Sequence, residues 1–359
     1  MSLIIRYVDT SSGFVCIEES FLGFLDVNDT RQGLFDALLE KLKSLDLDVD
    51  NLRGQGYNNG SNMKGKNIGV QKKVLDRNPR AFYSACGCHS LNLTLCDMAK
   101  SCRKGIEFFG VIQRIYTTFA NSTKRWKILK DNISGLTLTH WESRLESGKA
   151  IRFQILEIRE ALLHVAETDD DPLRSSEAKS LAENELGSFE FSVAIIIWFE
   201  ILSAVNLISK HLQSKDMLID IAIESVQGLI SFFKKYKETG FLKALEATKE
   251  IAMEMDIHLE FTPKRKIKRK RHFDEAADDA SSVSQSEEES FRVNYFIYVI
   301  DQAIVSLTKR FEQYQGYEKI FGFLFTLDRL RSLDDNSLMA NCVNLENPLK
   351  SGEHKDIDG

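Results

Sequence analysis

Apolar and polar positions follow two different rhythms along the chain. Near the amino terminus the runs are short and rich in β-formers: Leu3-Ile4-Ile5-Arg6-Tyr7-Val8 and Gly13-Phe14-Val15-Cys16-Ile17, joined by a Thr10–Gly13 turn. Phe21–Leu25 extends the second run past a bulge. Asn28-Asp29-Thr30 then offers capping side chains, and Leu34, Phe35, Leu38, Leu39, Leu42 and Leu45 recur at spacings of three and four, predicting one amphipathic helix. Leu52–Tyr57 and Ala81–Ala85 read as two further short strands. From Cys88 onward the spacing is helical almost throughout, through Phe108–Phe119, Ile219–Tyr236, Phe241–Met255 and Phe291–Phe311. Phe191–Ile208 is nearly all apolar, which raises a membrane span or a buried bundle helix. Glu200 and Asn206 within it, and Glu190 just before it, favour the bundle.

That order is not a doubly wound repeat. It predicts a small mixed sheet followed by a large helical region, divided as 1–105, 106–261, a linker over 262–290, a helical segment over 291–333 and a flexible tail over 334–359. Composition fits a soluble globular chain, with 43% apolar and 28% charged residues among 359. Only 4 prolines imply long, seldom interrupted helices. The 6 cysteines lack the paired spacing of a secreted framework or a zinc ribbon, and no signal peptide is recognisable, so a reduced intracellular setting is expected.

Net charge of −6 conceals a basic run. Lys264, Arg265, Lys266, Lys268, Arg269, Lys270 and Arg271 are seven of eight consecutive residues, and an acidic, serine-rich stretch follows them. Such a run is a nuclear localisation signal, a phosphate-contacting patch or a solvated charge block. Its place in a linker favours the first, with an import receptor as partner.

The densest motif is Gly54-Gln55-Gly56-Tyr57-Asn58-Asn59-Gly60-Ser61-Asn62-Met63-Lys64-Gly65. It lacks the third glycine of a dinucleotide fingerprint and the Gly-Lys-Ser/Thr of a P-loop, which leaves a polar turn ahead of a helix. Together with Cys86-Gly87-Cys88-His89-Ser90-Leu91-Asn92-Leu93 it resembles hAT-family DNA transposases. The group it is most similar to is that of the plant zinc finger MYM-type protein 1-like and TTF-type zinc finger proteins with a hAT dimerisation region.

The resemblance implies an RNase H-like core, here partial, interrupted by an all-helical insertion. It also implies three carboxylates holding two divalent metals, magnesium in active relatives. Asn58 occupies the expected second-acid position, where an amide brings no negative charge. The first acid is expected on a strand preceding Leu3–Val8, a strand that is central in such a sheet, and the third beyond Gly359, in the dimerisation region through which relatives oligomerise. No catalytic residue is then intact, and no cofactor is expected. Cys86 and His89 match the family's Cys-x-x-His and are either metal candidates or packing residues at a strand–helix junction. Trp141 and Arg144, in Thr139-His140-Trp141-Glu142-Ser143-Arg144, resemble the family's Thr-Arg-Trp-x-x-Arg. They are candidates for DNA contact, as is Lys64, although a core tryptophan fits Trp141 equally. The expected function is a noncatalytic, transposase-derived nuclear protein fragment that binds DNA or protein, without a membrane role. The alternative is a hAT transposase whose activity is lost with its acids.

Overall fold

The computed structural model describes residues 1–28, 30–65, 67–133, 152–214, 217–261, 286–351 and 354–357. Two compact units divide the chain: Met1–Leu93 with Ile208–Gly228 and Leu307–Gly359, and Thr94–Leu207 with Leu229–Ser306. These borders differ from those expected at 105 and 261. Helical periodicity marks where a helix runs, not which core each of its turns joins.

In the first unit, β1 (Ser2–Asp9) pairs antiparallel with β2 (Cys16–Phe24). The turn closes with Gly13 donating to the Thr10 carbonyl at 3.1 Å, and Gly13 takes a φ of +78°, which a residue with a Cβ resists. Leu3 faces Gly23 but Ile4 faces Phe21, so Leu22 is the extra residue of the bulge. Leu3 and Ile5 pack onto the core, while Ile4, Val8, Phe21 and Phe24 are exposed. Helix α1 (Arg31–Ser44) starts where Thr30 Oγ1 accepts from the Gly33 N–H at 3.0 Å, a cap contributing about 1 kcal/mol. It buries Leu34, Leu38 and Leu42 against Val49, Val70, Val74 and Ala81.

The chain then builds β3 (Gly54–Tyr57), α2 (Ser61–Lys64), α3 (Val70–Arg77) and β4 (Phe82–Ala85), with β4 parallel to β3. Parallel strands need such a crossover, and two short helices supply it. The expected mixed sheet is therefore observed as two separate two-stranded sheets of opposite sense. Among the described residues no strand bridges β1 and β3, so each pair keeps an edge without a strand partner. The stretch 334–359, expected as a flexible tail, instead forms helix Asp335–Glu346, capped by Asp334 accepting from the Ser337 N–H, and then a short hairpin, Lys350–Ser351 with His354–Lys355. Polar composition there disguised a helix with a good cap.

The second unit is helical. Helix α4 (Gly87–Lys100) enters it, and Arg103–Ala120, Thr123–Asn132, Ile155–Thr168, Pro172–Ser180 and most of Phe189–Leu212 belong to it. Phe189–Leu212 is the apolar helix of the sequence; it is long and apolar enough to cross a membrane, yet Val193, Ile197, Trp198 and Ile201 are buried within the protein. Trp198 Nε1 donates to the hydroxyl of Tyr295 at 2.8 Å. Tyr295 and Phe296 lie on the π-helical turn Arg292–Ile297, both fully buried, and Phe108 stacks on Trp198 with ring centroids 6.2 Å apart. The basic run 264–271 and the Trp141–Arg144 motif lie outside the described residues.

Candidate functional site at the carboxyl end of the parallel strands

Parallel pairing places the ends of β3 and β4 side by side, with Tyr57 opposite Ala85. Loops leaving the carboxyl ends of parallel strands are the usual place for ligand contacts in α/β sheets. Here those loops are the two motifs: Asn58-Asn59-Gly60 leads into α2, and Cys86 leads into α4. The junction is sealed by the Cys86 N–H donating to the Tyr57 carbonyl at 2.9 Å, and by the Ser90 N–H donating to the Cys86 carbonyl at 3.0 Å.

Side chains join the two loops. Asn59 Nδ2 donates to Ser90 Oγ at 2.9 Å, and Lys64 Nζ donates to Asn59 Oδ1 at 3.2 Å. Asn58 is exposed, and its Oδ1 accepts from the Gly60 N–H at 3.0 Å, closing an Asx turn. Its one acceptor oxygen thus already serves the backbone. Beneath, Gln55 Nε2 donates to the carbonyls of Gln71 and Ala81, at 3.2 and 3.0 Å, which ties the strand to its crossover.

Lys64 and Asn58 are therefore brought to one end of the strand pair with Cys86 and His89. Cys86 is exposed, His89 is half-buried, and the neighbouring Cys88 thiol is directed to the Ser209 carbonyl at 3.4 Å. Among the described residues, no three His, Cys, Asp or Glu side chains converge as a metal site would require. Asp9 is the last residue of β1, and its carboxylate turns back to the hairpin loop: it accepts from the Ser11 N–H and hydroxyl, which holds it below the usual carboxylate range.

An aromatic cluster backs the site. Tyr57 and Tyr83 stack at 6.2 Å, and the Tyr317 hydroxyl donates to the Tyr83 carbonyl. Burial pushes the phenols of Tyr83, Tyr314 and Tyr317 up to about 12, with neighbouring Cys86 adding to the effect at Tyr83, and moves Tyr57 higher still. All four are neutral at ordinary pH. Sequence reasoning singled out neither Ser90 nor the tyrosines as partners. Ser90 had a signal, a polar residue in the first turn of a helix inside a quoted motif. Tyr317 had none, since it lies 234 residues from the carbonyl it meets.

Comparison with known proteins adds two matches. Residues 1–69 match the family model described as ZMYM1/FAM200, RNase-like domain (DUF4371), a stretch spanning β1 through α2 and the Asn58 loop. The chain is also 23% identical over 288 residues to the human (Homo sapiens) 52 kDa repressor of the inhibitor of the protein kinase, covering 72% of this chain. Both matches support a transposase-derived family. The chain spans about a third of that relative's length, 36%. No solved structure matches the chain.

Proposed function

We propose that the chain is a noncatalytic, hAT-transposase-derived nuclear protein whose remaining role is to bind DNA or protein. The observation that carries this reading is the second-acid position. Asn58 stands there, neutral, with its amide oxygen committed to the Gly60 N–H. Two-metal phosphodiester chemistry depends on anionic oxygens that hold both cations, and the neutral amide of Asn58 supplies none. The match to an RNase-like domain and the similarity to a human protein named as a repressor favour a transposase ancestor turned to regulation. Nuclear placement rests on the Lys264–Arg271 run.

The test is a cleavage and strand-transfer assay on duplex DNA with Mg²⁺ and then Mn²⁺. No product is expected from the purified chain. Metal-dependent cleavage that disappears on Asn58→Ala would overturn the reading in favour of an active transposase. A fluorescent fusion is expected in the nucleus and in the cytoplasm once the seven basic residues are replaced by glutamine; nuclear entry that survives the replacement would sink the import assignment.

A further inference from the structure

The amino end of the same strand pair carries a second cluster. Arg53 directly precedes β3 and Arg80 stands two residues before β4, so parallel pairing brings them to one side. Both reach Asp356, just past the C-terminal hairpin. Arg53 holds it with two nitrogens, Nε at 2.5 Å from Oδ2 and Nη2 at 2.6 Å from Oδ1, and Arg80 Nη1 adds a third contact at 2.7 Å.

The receptor side of this contact has anchors besides Asp356. Arg80 Nη2 and Arg53 Nη1 both donate to the Asp50 carbonyl, at 2.8 and 3.0 Å. The Arg80 N–H donates to Asn78 Oδ1, and Asn78 Nδ2 donates to the carbonyls of Val49 and Leu52. The Arg80 side chain is only 9% exposed, and its buried Nε has no partner among the described residues. An arginine held that deeply, beside a second one, is a costly arrangement that one carboxylate does not fully neutralise.

The occupant side is a short hairpin of two residues per strand, pinned by Lys355 Nζ on Glu346 Oε1 at 2.7 Å and by the Asp356 N–H donating to the Leu349 carbonyl at 3.3 Å. Two guanidinium groups aimed at one tetrahedral or planar oxyanion match a phosphoryl group, whose charge approaches −2 and whose oxygens accept forked N–H pairs. We propose that Arg53 and Arg80 form a phosphate-binding site and that Asp356 fills it in cis. The site lies at the opposite end of the strands from Asn58 and does not depend on the transposase reading.

The consequence is competition. A tethered carboxylate acts at an effective concentration in the millimolar range, roughly, so an external anion must outcompete it. Calorimetric titration of the full chain with inorganic phosphate, at ionic strength held constant with chloride, compares wild type, Asp356→Asn, and Asp356→Asn with Arg53→Gln. Asp356→Asn is expected to bind phosphate at least tenfold more tightly than wild type, and Arg53→Gln to remove that gain. Affinity unchanged by Asp356→Asn, or retained without Arg53, would overturn the site. Phosphorus NMR on wild type gives the same comparison if Asp356→Asn does not fold: line broadening at high phosphate is expected, and its persistence in Arg53→Gln would count against the site. A short DNA duplex titrated in parallel identifies the source. A gain that follows Arg53 on DNA assigns a backbone phosphodiester, and a gain on inorganic phosphate alone assigns a free phosphoryl anion.

Discussion

Replacing Tyr295 with Phe isolates one buried hydrogen bond. The ring volume is kept, so no cavity of consequence opens. What is lost is the acceptor for Trp198 Nε1, 2.8 Å away, with both side chains about 1% exposed. The indole N–H then stays buried without its partner, which costs about 1–3 kcal/mol. Trp198→Phe removes the donor and also ring area that Phe108 and Phe109 cover, so it is expected to cost more. In the double variant neither polar group is stranded. Its cost is expected to fall short of the sum by about 1 kcal/mol. Because the chain has two compact units, the readout is local: hydrogen exchange of the helical amides from Phe189 to Leu207, whose protection reports the opening free energy of the helical unit. A Tyr295→Phe cost below about 0.5 kcal/mol, or strict additivity in the double variant, would refute the reasoning, since a change that strands a buried donor is not neutral.

Three other outcomes are expected. A Cβ on Gly69 would lie 2.5 Å from the Gly65 nitrogen and 2.7 Å from its carbonyl oxygen, so Gly69→Ala should lose about 1–3 kcal/mol in urea denaturation; Gly110→Ala, in a helix with nothing within 4 Å, should gain about 0.5–1 kcal/mol. Tyr83, Tyr314 and Tyr317 keep their protons to about 12 in the folded chain but ionise near 10 when unfolded. Their contribution to stability is therefore whole below pH 10 and is lost as pH rises from 10 through 12; assigned ring resonances of these three tyrosines titrating near pH 10 without unfolding would contradict this. Asn58→Asp should fold normally, because aspartate also accepts from the Gly60 N–H, and calorimetry should detect no tight Mn²⁺ site.

Local elements were legible because local physics writes them. Thr30 capping α1, the Leu34–Leu38–Leu42 stripe, the turn at Gly13 and the bulge beside Phe21 all depend on residues within a few positions of one another. The strand that opens the glycine-rich motif and the strand ahead of Cys86 were readable for the same reason. Their pairing was not: one mixed sheet and two separate pairs share the same strand signals, and only the partner at each edge distinguishes them. The site was half legible. Asn58, Lys64, Cys86 and His89 sit in recognisable motifs. Tyr317 over Tyr83 and Asp356 on Arg80 join residues 234 and 276 positions apart, separations that no periodicity encodes.

The two ends of β3 and β4 show how one short strand pair can hold opposite electrostatics. Among the described residues, the side chains joined at the carboxyl end include amides, a serine hydroxyl, the Lys64 ammonium and phenols kept protonated by burial. Restoring one carboxylate at Asn58 would not recreate a cation site, since divalent ions take several oxygen ligands and no three acidic or metal-ligating side chains converge among the described residues. At the amino end, four strand residues or roughly 13 Å away, two arginines that meet Asp356 are also held by a backbone carbonyl and an asparagine. That end has the charge, the rigidity and the forked donors that anion recognition requires. If the chain grips phosphate through this fold, the grip falls at Arg53 and Arg80 rather than at the Asn58 and Cys86 loops.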